Sequence, residues 1–424
     1  MSKERQTIGI IGGGAAGLMA ACQIKKRADS LNKPVEIIIL EKTSSVGNKL
    51  LLTGHGRCNI TNRHLTKGKM KSSDKYFFEA SNFMSLLLNN FDSSDTIKFF
   101  EQTLGVLLKE EENGRMFPVS DKALDIKEAM LKYLDEGNQI VRIITSFRAC
   151  DIVQREDEVS VTSSDGMEMV FDDVVLATGG KSFSKTGSTG DGYEILGKLD
   201  HKIITPHASL APIEVSDKDK EFTSSVAGVS VNVRASYYEA DKKINSVDGD
   251  VLFTHSGLSG PAAMELSRDV EEDGWVELDF APTMDDASFD SDLVSEINSK
   301  PTAKVYNIGS KYVPVSLSKA LTTRAEVTDL IGQNLLKSQR KALVKEFKHL
   351  RLLIEHSPDL ETAYVTRGGV DLNDIERKTM RSKKCKNLYI IGEVLNVDGK
   401  SGGYNLTACM SQAFACANSL IAEK

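Results

Sequence analysis

The sequence predicts a mixed α/β fold in which a domain with a parallel sheet begins at the amino terminus and is completed only at the carboxyl terminus. Three observations predict it. A strand, a glycine turn, a helix and a second strand occupy the start of the chain; short β-type runs with turns begin near Gly197; and another buried strand lies at Asn387–Glu393. Strand-rich sequence between the two ends of a parallel sheet indicates an inserted antiparallel β domain. The length of 424 residues allows two or three domains.

Composition excludes several classes of protein. With 53 Lys+Arg against 60 Asp+Glu, the net charge is −7. This charge argues against a non-specific nucleic-acid-binding protein, because such binding needs a basic surface. None of the six cysteines forms a CxxC pair, which argues against a disulfide scaffold, a zinc ribbon or a thioredoxin-like centre. We therefore expect no metal site and no thiol redox centre.

The amino-terminal unit carries the first chemistry. Ile8–Ile11 is predicted as a buried strand, Gly12–Gly17 as a glycine turn, Leu18–Arg27 as a helix and Val35–Leu40 as a second strand that ends in Glu41. A GxGxxG pattern inside such a βαβ unit is the fingerprint of a dinucleotide site. The alternative is a glycine-rich turn without a ligand.

Each residue of this fingerprint has a physical role. Gly12 allows the tight turn, Gly14 lets the backbone approach a pyrophosphate, and Gly17 lets helix and strand pack closely. The phosphates would lie on the unpaired amides at the helix start, and Glu41 would accept hydrogen bonds from ribose hydroxyls. The predicted contacts also include Ala15, Ala16 and Lys42.

Two uncharged stretches imitate membrane segments. Gln6–Ile24 holds five glycines, and Ser401–Ala422 holds six polar Asn, Thr, Ser and Gln side chains after Ser401. Glycine breaks helices, and buried polar groups are costly in lipid. We expect no membrane segment and a cytoplasmic protein.

The remaining elements follow from periodicity and turn signals. Helices are predicted within Tyr76–Leu104 (two), Lys122–Leu134, Met284–Lys348 and Tyr404–Ala422. Strands are predicted at Val141–Phe147, Ala149–Gln154, Glu158–Ser163, Met167–Phe171, Asp173–Ala177, Val229–Tyr238, Val251–Thr254, Trp275–Phe280 and within Leu350–Val370, with a turn at Asp248–Gly249. The resulting domains are 1–196 with 371–424 for the nucleotide, 197–283 with 349–370 for the inserted β domain, and 284–348 for a helical module.

Several sequence blocks carry a family resemblance. Beside the fingerprint, they are Gly47–Asn62 with TGHGRCNITN, Ala177–Tyr193 with ATGGKSFSKTGSTGDGY, Phe253–Ala262, Val365–Val370 and Gly392–Asn405 with GEVLNVDGKSGGYN. Together they resemble the bacterial flavoproteins described as aminoacetone-oxidase-family, or YhiN/BaiN-like, FAD-binding proteins. The resemblance implies FAD, a discontinuous Rossmann-like domain, an inserted β-barrel-like domain and a helical domain nested inside it.

The chain departs from that family pattern at three places. His55 occupies a position where another small residue is expected, Ser184 replaces a proline after Phe183, and Leu406–Ser411 lacks a tryptophan. The substrate pocket can therefore differ from that of other members, and no member's substrate is transferred.

The resemblance assigns further residues to FAD. Glu393 would bind a ribityl hydroxyl, and the helix start at Gly402–Asn405 would face the flavin N1/O2 edge and stabilise negative charge there. Alternatives are a solvated strand end for Glu393, a packing role for the helix start and a surface ion pair for Arg57. The full predicted set adds Lys49, Arg57, Cys58, Asn59, Ala149, Thr178, Gly179, Gly180, Gly392, Gly402, Gly403, Tyr404 and Asn405.

Candidate catalytic residues are His255, Arg367 and His55. The histidines are candidates because imidazoles exchange protons near neutral pH, and Arg367 because its loop is expected beside the substrate. The simpler alternative is that each histidine is only hydrogen-bonded in place. The substrate is expected in a cleft between the nucleotide domain and the β domain, beside loops Gly54–Asn59, His255–Gly260 and Arg367–Gly369. Alternatively, these loops only hinge the domains.

These features predict an FAD-dependent oxidoreductase with non-covalent FAD. No second strand–GxGxxG–helix unit is present, so NAD(P)H would act as a transient reductant, while a small amine donor with oxygen as acceptor fits equally well. A small-molecule substrate is expected and no nucleic acid. The alternative is a flavin-binding protein or one that modifies RNA or tRNA. The basic runs Lys67–Lys75 and Arg377–Lys386 argue against RNA binding, because they are short and are interpreted as solvated faces.

Overall fold

The computed structural model describes residues 5–67, 75–354 and 356–422. The chain forms two compact units, Met1–His207 with Tyr364–Lys424, and Ala208–Ala363. The first stretch contains β1 (Gln6–Ile11), α1 (Ala15–Ser30), β2 (Val35–Leu40), β3 (Thr61–Asn62), α2 (Phe78–Asn90), α3 (Ser93–Lys98), β4 (Leu108–Glu111), β5 (Arg115–Pro118), α4 (Ala123–Asp135), β6 (Ile140–Ile144), β7 (Ala149–Gln154), β8 (Val159–Ser163), β9 (Glu168–Phe171), β10 (Asp173–Leu176), α5 (Asp191–Lys198) and β11 (Ile203–Ser209). The second unit contains β12 (Ile213–Glu214), α6 (Asp217–Ser225), β13 (Ser230–Glu239), β14 (Lys242–Phe253), β15 (Gly257–Ser259), α7 (Gly260–Leu266), β16 (Trp275–Asp279), α8 (Asp286–Ser299), α9 (Val305–Gly309), α10 (Val315–Arg324), α11 (Lys337–Lys348) and β17 (Leu350–Leu353). The chain then returns through β18 (Val365–Val370), β19 (Ile375–Glu376), β20 (Arg381–Ser382), β21 (Leu388–Ile390) and α12 (Tyr404–Leu420).

The first unit is organised by a seven-stranded sheet of order β19-β20-β21-β10-β1-β2-β6. The five strands from β21 to β6 are parallel, and β19–β20 is an antiparallel hairpin at one edge. Strands β1, β2 and β10 are almost entirely buried, which is the pattern of a parallel sheet covered on both faces. Parallel strands bring their carboxyl ends to one edge, so the segments that follow β1, β2, β10 and β21 meet there.

Helices α1 and α12 pack against each other beside this sheet. Gly392, in the segment that follows β21, packs closely on the start of α1, because a Cβ there would lie 2.8 Å from the Cβ of Ala16. A Cβ on Gly17 would lie 1.9 Å from the carbonyl oxygen of Gly12. These close contacts hold the start of α1 against the turn after β1 and the segment after β21, at the carboxyl edge of the sheet.

The second unit is built on a six-stranded sheet of order β12-β15-β14-β13-β16-β17, antiparallel throughout. Helices α8 to α11 share one core with it, and Phe289, Leu317 and Phe347 are fully buried there. Among the described residues, no pairing joins β12 to β17. An antiparallel sheet is therefore present, but closure into a barrel is not confirmed.

Most predicted elements are confirmed, including β1, β2, the meander β7–β8–β9, the helices of 284–348 and α12. The predicted turn at Asp248–Gly249 is wrong. These residues lie inside β14, opposite Arg234 and Val233, and the hairpin reverses at Ala240–Asp241. Both reversal residues have positive φ, 44° and 61°, as a two-residue type I′ turn requires.

The β segment predicted within Leu350–Val370 is divided between two sheets. Strand β17 pairs with β16, whereas β18 pairs with β11 and lies in the first unit. The chain divides after His207 and after Ala363, whereas the sequence predicts boundaries after residues 196 and 370. None of the described helices is long and apolar enough to span a bilayer.

Candidate cofactor site

The glycine turn after β1 leads directly into the start of α1. Gly12 has φ 104°, and a Cβ there would lie 2.4 Å from the carbonyl oxygen of Ala177, so the tight turn requires glycine. Gly14 is the N-cap, and no described side chain caps the helix. A Cβ on Gly14 would meet nothing within 4 Å. The space beside Gly14 is therefore open at the helix start, where the first amides of α1, including those of Ala15 and Ala16, lack intrahelical partners and the positive end of the helix dipole lies.

Glu41 lies beside this turn, at the end of β2. Its side chain is 8% exposed; Oε2 accepts from the amide of Gly13 at 2.9 Å, and Oε1 accepts from the amide and hydroxyl of Thr43, each at 2.8 Å. A carboxylate has about four lone-pair sites, so after these three hydrogen bonds it can still accept one from a ribose. The amide of Phe147 donates to the carbonyl of Glu41 at 2.9 Å, which places the segment leading to Ala149 next to this carboxylate.

Lys42 points to the start of α5. Its Nζ donates to Oδ2 of Asp191 at 2.9 Å, and Arg148 donates to the other oxygen at 3.0 Å. Burial alone would raise the pKa of Asp191, but the hydrogen bonds from Lys42 and Arg148 bring it below its usual value. Lys42 is thus part of an ion-pair cluster adjacent to Glu41.

Glu393 lies at the end of β21 and joins three sequence blocks. Lys49 Nζ donates to both of its oxygens, at 3.0 and 2.9 Å, and the hydroxyl of Ser182 donates at 3.2 Å. The amide of Thr366 donates to Oε1 at 2.7 Å. Gly180 is held against this group, because a Cβ there would lie 2.3 Å from the Thr366 hydroxyl. The carboxylate that was predicted to face the cofactor is therefore fixed by a network of four residues.

The start of α12 is the second uncapped helix start at this edge. Gly402 and Gly403 have φ 128° and 93°, and no described side chain caps the helix. A Cβ on Gly403 would lie 2.7 Å from the carbonyl oxygen of Thr61 and 3.0 Å from Oδ1 of Asn59. The side chain of Asn405 exchanges two hydrogen bonds of 2.8 Å with the backbone of Gly399. The predicted loop Gly47–Asn62 therefore packs on the helix start.

Three polar atoms around this edge are buried without a hydrogen-bond partner among the described residues: Asn59 Oδ1, Thr178 Oγ1 and Ser188 Oγ. Gly179 adjoins the last of these, since its Cβ would lie 3.2 Å from Ser188 Oγ. Buried polar groups in native proteins are nearly always bonded to protein, water or ligand. Together with the open space at Gly14, these atoms show a set of donors and acceptors that fits a dinucleotide.

Arg57 and Cys58 have surroundings of another kind. The Arg57 guanidinium binds Glu111 and Asp121 and stacks on the ring of Phe117 at 4.2 Å. The hydrogen bonds that this guanidinium donates to Glu111 and to Asp121 raise its pKa. Arg57 thus makes the surface ion pair that the sequence left open. The Cys58 thiol is buried, which raises its pKa to about 12 and keeps it protonated at neutral pH.

The candidate catalytic residues occupy different elements. His55 is exposed in the loop that carries Lys49, and Arg367 follows Thr366 in β18. His255 is exposed in the second unit, where its Nδ1 lies 3.1 Å from the hydroxyl of Ser224. Sequence reasoning missed Ser182 and Thr366 as members of the Glu393 network, although both are small polar residues within glycine-containing blocks.

Comparisons with known proteins agree with this architecture. Residues 6–419 match the family described as HI0933-like protein Rossmann domain. The chain is 30% identical over 421 residues to a ribosomal RNA dihydrouridine synthase of Haemophilus influenzae, with 99% of both chains covered. It is 29% identical over 406 residues to a 3-dehydro-bile acid delta(4,6)-reductase of Clostridium scindens, covering 94% of this chain and 95% of that protein.

Among solved structures, a 3-ketosteroid delta1-dehydrogenase from Sterolibacterium denitrificans has a TM-score of 0.51 at 11% identity, with 99% of this chain and 100% of that chain covered. This likeness shows a shared fold. The family match and the full-length relative confirm the resemblance that the sequence blocks predict. The chain therefore belongs to the HI0933-like family of FAD-dependent Rossmann-fold oxidoreductases.

Proposed function

We propose that this chain is a reductase with non-covalent FAD that takes reducing equivalents from NAD(P)H and reduces a carbon–carbon double bond conjugated to a carbonyl group. One observation carries the cofactor part of this proposal. The carboxyl edge of the parallel sheet presents two uncapped helix starts, at Gly14 and Gly403, and two anchored carboxylates, Glu41 and Glu393. These groups match the phosphates, the sugar hydroxyls and the reduced ring of a flavin dinucleotide.

The residues would divide the work of holding the cofactor. The α1 amides would bind the pyrophosphate, Glu41 a ribose hydroxyl and Glu393 a ribityl hydroxyl. The start of α12 would place a positive dipole end where negative charge accumulates on reduction. Bound FAD would supply the hydride chemistry, while the chain supplies position and electrostatics.

Reduction of a conjugated double bond also needs a proton and a group that polarises the carbonyl. We assign the proton to His255 or His55, both of which are exposed imidazoles. We assign carbonyl binding to the guanidinium of Arg367, in the strand that also carries Thr366. These catalytic roles are part of the proposal.

The names of two relatives support this acceptor class. One is named for making dihydrouridine in ribosomal RNA, and the other for reducing a 3-dehydro-bile acid. Both names describe saturation of a ring double bond near a carbonyl. An amine donor with oxygen as acceptor has no such support among these relatives.

A second candidate is that the acceptor is a uridine within RNA. The observation favouring it is the 30% identity to the dihydrouridine synthase across 99% of both chains. Against it stands the net charge of −7. The basic run Arg377–Lys386 is largely exposed, with Arg381, Lys384 and Lys386 paired to Glu376, Asp374 and Asp157. In the other run, Lys67–Lys75, residues 68–74 lie outside the described residues.

The test is anaerobic and has two stages. Purified protein loaded with FAD is mixed with NADH, NADPH or a panel of small amines, and bleaching of the flavin absorbance is followed. The reduced protein is then mixed with 2-cyclohexen-1-one, or with a ribosomal RNA transcript containing uridine, and reoxidation is measured. We expect reduction by NAD(P)H and reoxidation by a conjugated acceptor. Reduction by amines alone, followed by reoxidation only by oxygen, would contradict the proposal.

The RNA candidate is separated from the small-molecule candidate at the second stage. Phosphate contacts weaken steeply with salt, so binding of the transcript is measured between 50 and 200 mM salt. Dihydrouridine in the recovered transcript would establish the RNA acceptor. Turnover of the enone with an unmodified transcript would restrict the function to small molecules.

A further inference from the structure

Three rings in the first unit are not used by the cofactor site: those of His55, Phe183 and Tyr364, here named the aromatic cluster. We propose that the aromatic cluster is a stacking site for the planar ring of the acceptor, the ring that contains the double bond conjugated to a carbonyl. The inference rests on the proposed function, since it names the part of the chain that recognises the acceptor.

The three rings are in contact, and each is partly or largely exposed. The rings of Phe183 and Tyr364 meet edge to face, with centroids 5.3 Å apart and an interplanar angle of 81°. The His55 imidazole lies 6.3 Å from the Tyr364 ring at 51°. His55 is exposed, and the other two residues are half-buried. Rings of a hydrophobic core are normally covered, so these leave aromatic surface for another ring.

The aromatic cluster adjoins the Glu393 network through all three of its chain segments. Phe183 directly follows Ser182, whose hydroxyl donates to Glu393. Tyr364 precedes Thr366, whose amide donates to the same carboxylate at 2.7 Å. His55 belongs to the loop Gly47–Asn62, whose Lys49 is paired with Glu393 at 2.9 Å. The rings are therefore held by the same residues that anchor the candidate cofactor site.

The backbone at these rings is strained. Phe183 has φ 54° and His55 has φ 58°, and positive φ is uncommon for residues with bulky side chains. His55 stands between Gly54 and Gly56, also at positive φ, and Cys58 has φ 61°. Such strain persists only where the surroundings impose it, and it is concentrated at ligand sites. Here it directs two ring-bearing residues toward the same partner ring.

The chemistry of the aromatic cluster suits a flat, conjugated ligand. Aromatic edges and faces attract a planar π-system by dispersion and by quadrupole interactions. The imidazole nitrogens can exchange hydrogen bonds with a ring carbonyl or imide. Saturation of the double bond makes the ring non-planar, so the product would stack less well than the substrate and would leave.

The experiment compares variants that remove a ring with one that keeps it. Tyr364→Leu and Phe183→Leu remove a ring, Tyr364→Phe retains it, and Tyr238→Leu changes a ring of the second unit as the matched control. Each FAD-loaded protein is assayed for reduction by NADPH and for reoxidation by 2-cyclohexen-1-one and by a short uridine-containing RNA. Equilibrium binding of 2-cyclohexen-1-one and uridine monophosphate to oxidised protein is followed by flavin difference spectra.

We expect the two ring-removing variants to keep FAD and to be reduced by NADPH within twofold of the wild-type rate. Their half-saturating acceptor concentration and their probe dissociation constant should rise at least tenfold, while Tyr364→Phe and Tyr238→Leu stay within threefold. If affinity falls for the enone alone, the acceptor ring belongs to a small molecule; if it falls for the RNA alone, the ring belongs to a nucleotide. Either result supports the inference.

The inference is overturned if acceptor binding is unchanged in both ring-removing variants, or if reduction by NADPH slows instead, which would assign the rings to the nicotinamide. It is also overturned if neither probe perturbs the wild-type flavin spectrum. Failure of both NADH and NADPH to reduce wild-type protein would refute the proposed function. That outcome is distinguishable from failure of the inference, because the equilibrium binding of the probes is measured without any reductant.

Discussion

Replacing Gly14 by valine tests whether the start of α1 binds the cofactor pyrophosphate. A Cβ at Gly14 meets no protein atom within 4 Å, and φ at this residue is −78°, which suits a side chain. The valine side chain would therefore occupy the open space in front of the helix amides without displacing protein. The cost to the fold is that of a poorer N-cap, about 1 kcal/mol.

The expected effect on binding is much larger than the effect on folding. Two charge-assisted hydrogen bonds from the amides to the pyrophosphate contribute about 1.5–3 kcal/mol each. Their loss would weaken binding by about 3–6 kcal/mol, equivalent to ~10²- to 10⁴-fold in Kd. The melting temperature of the FAD-free protein should fall by no more than about 4 °C.

The assay is a fluorescence titration of FAD into FAD-free protein, with thermal unfolding measured on the same samples. Gly197→Val is the matched control, because a Cβ there also meets nothing within 4 Å and the residue is exposed in α5. In contrast, Gly17→Val should damage the fold itself, since its Cβ would lie 1.9 Å from the Gly12 oxygen. Binding of FAD to Gly14→Val within threefold of wild type would refute the assignment.

Three further expectations concern individual side chains. Cys58→Ser should retain FAD and be reduced within twofold of the wild-type rate, because burial raises the pKa of this thiol to about 12. The other five cysteines should be equally dispensable. A Cys58→Ser protein that binds FAD but cannot be reduced would restore a thiol mechanism. Burial lowers the pKa of His201 below its ordinary 6.5, so the unfolded chain binds the proton more readily and the free energy of unfolding should fall as the pH drops below 6.5. Thermal unfolding between pH 7.5 and 5.5 should show a shallower decline in His201→Gln, and equal slopes would contradict the assignment. His255→Ala and Arg367→Ala should stay yellow and folded while reduction or turnover slows at least tenfold, roughly 1.4 kcal/mol of transition-state stabilisation; unchanged kinetics in both would exclude these two side chains.

Local sequence predicted the elements whose residues interact with near neighbours along the chain. The βαβ unit around Gly12–Gly17 is one such case, because a buried strand, a glycine turn and an amphipathic helix each leave a pattern within a few residues. The hairpin β13–β14 shows the limit. Asp248–Gly249 has the composition of a turn but pairs inside β14, since cross-strand packing over a long antiparallel pair outweighs the preference of two residues.

The sequence by itself determined the family, the nucleotide fingerprint and the fact that the first domain needs both ends of the chain, because these are carried by contiguous blocks of residues. Only the tertiary structure decided which side chains share a site. Lys49, Ser182 and Thr366 meet at Glu393 across more than 300 residues of sequence. Arg57, from the same loop as Lys49, turns instead to Glu111 and Asp121. Parallel strands bring distant segments to one edge of a sheet. The direction that a loop side chain then takes depends on charged residues that are distant in the sequence, so no local pattern of residues predicts it.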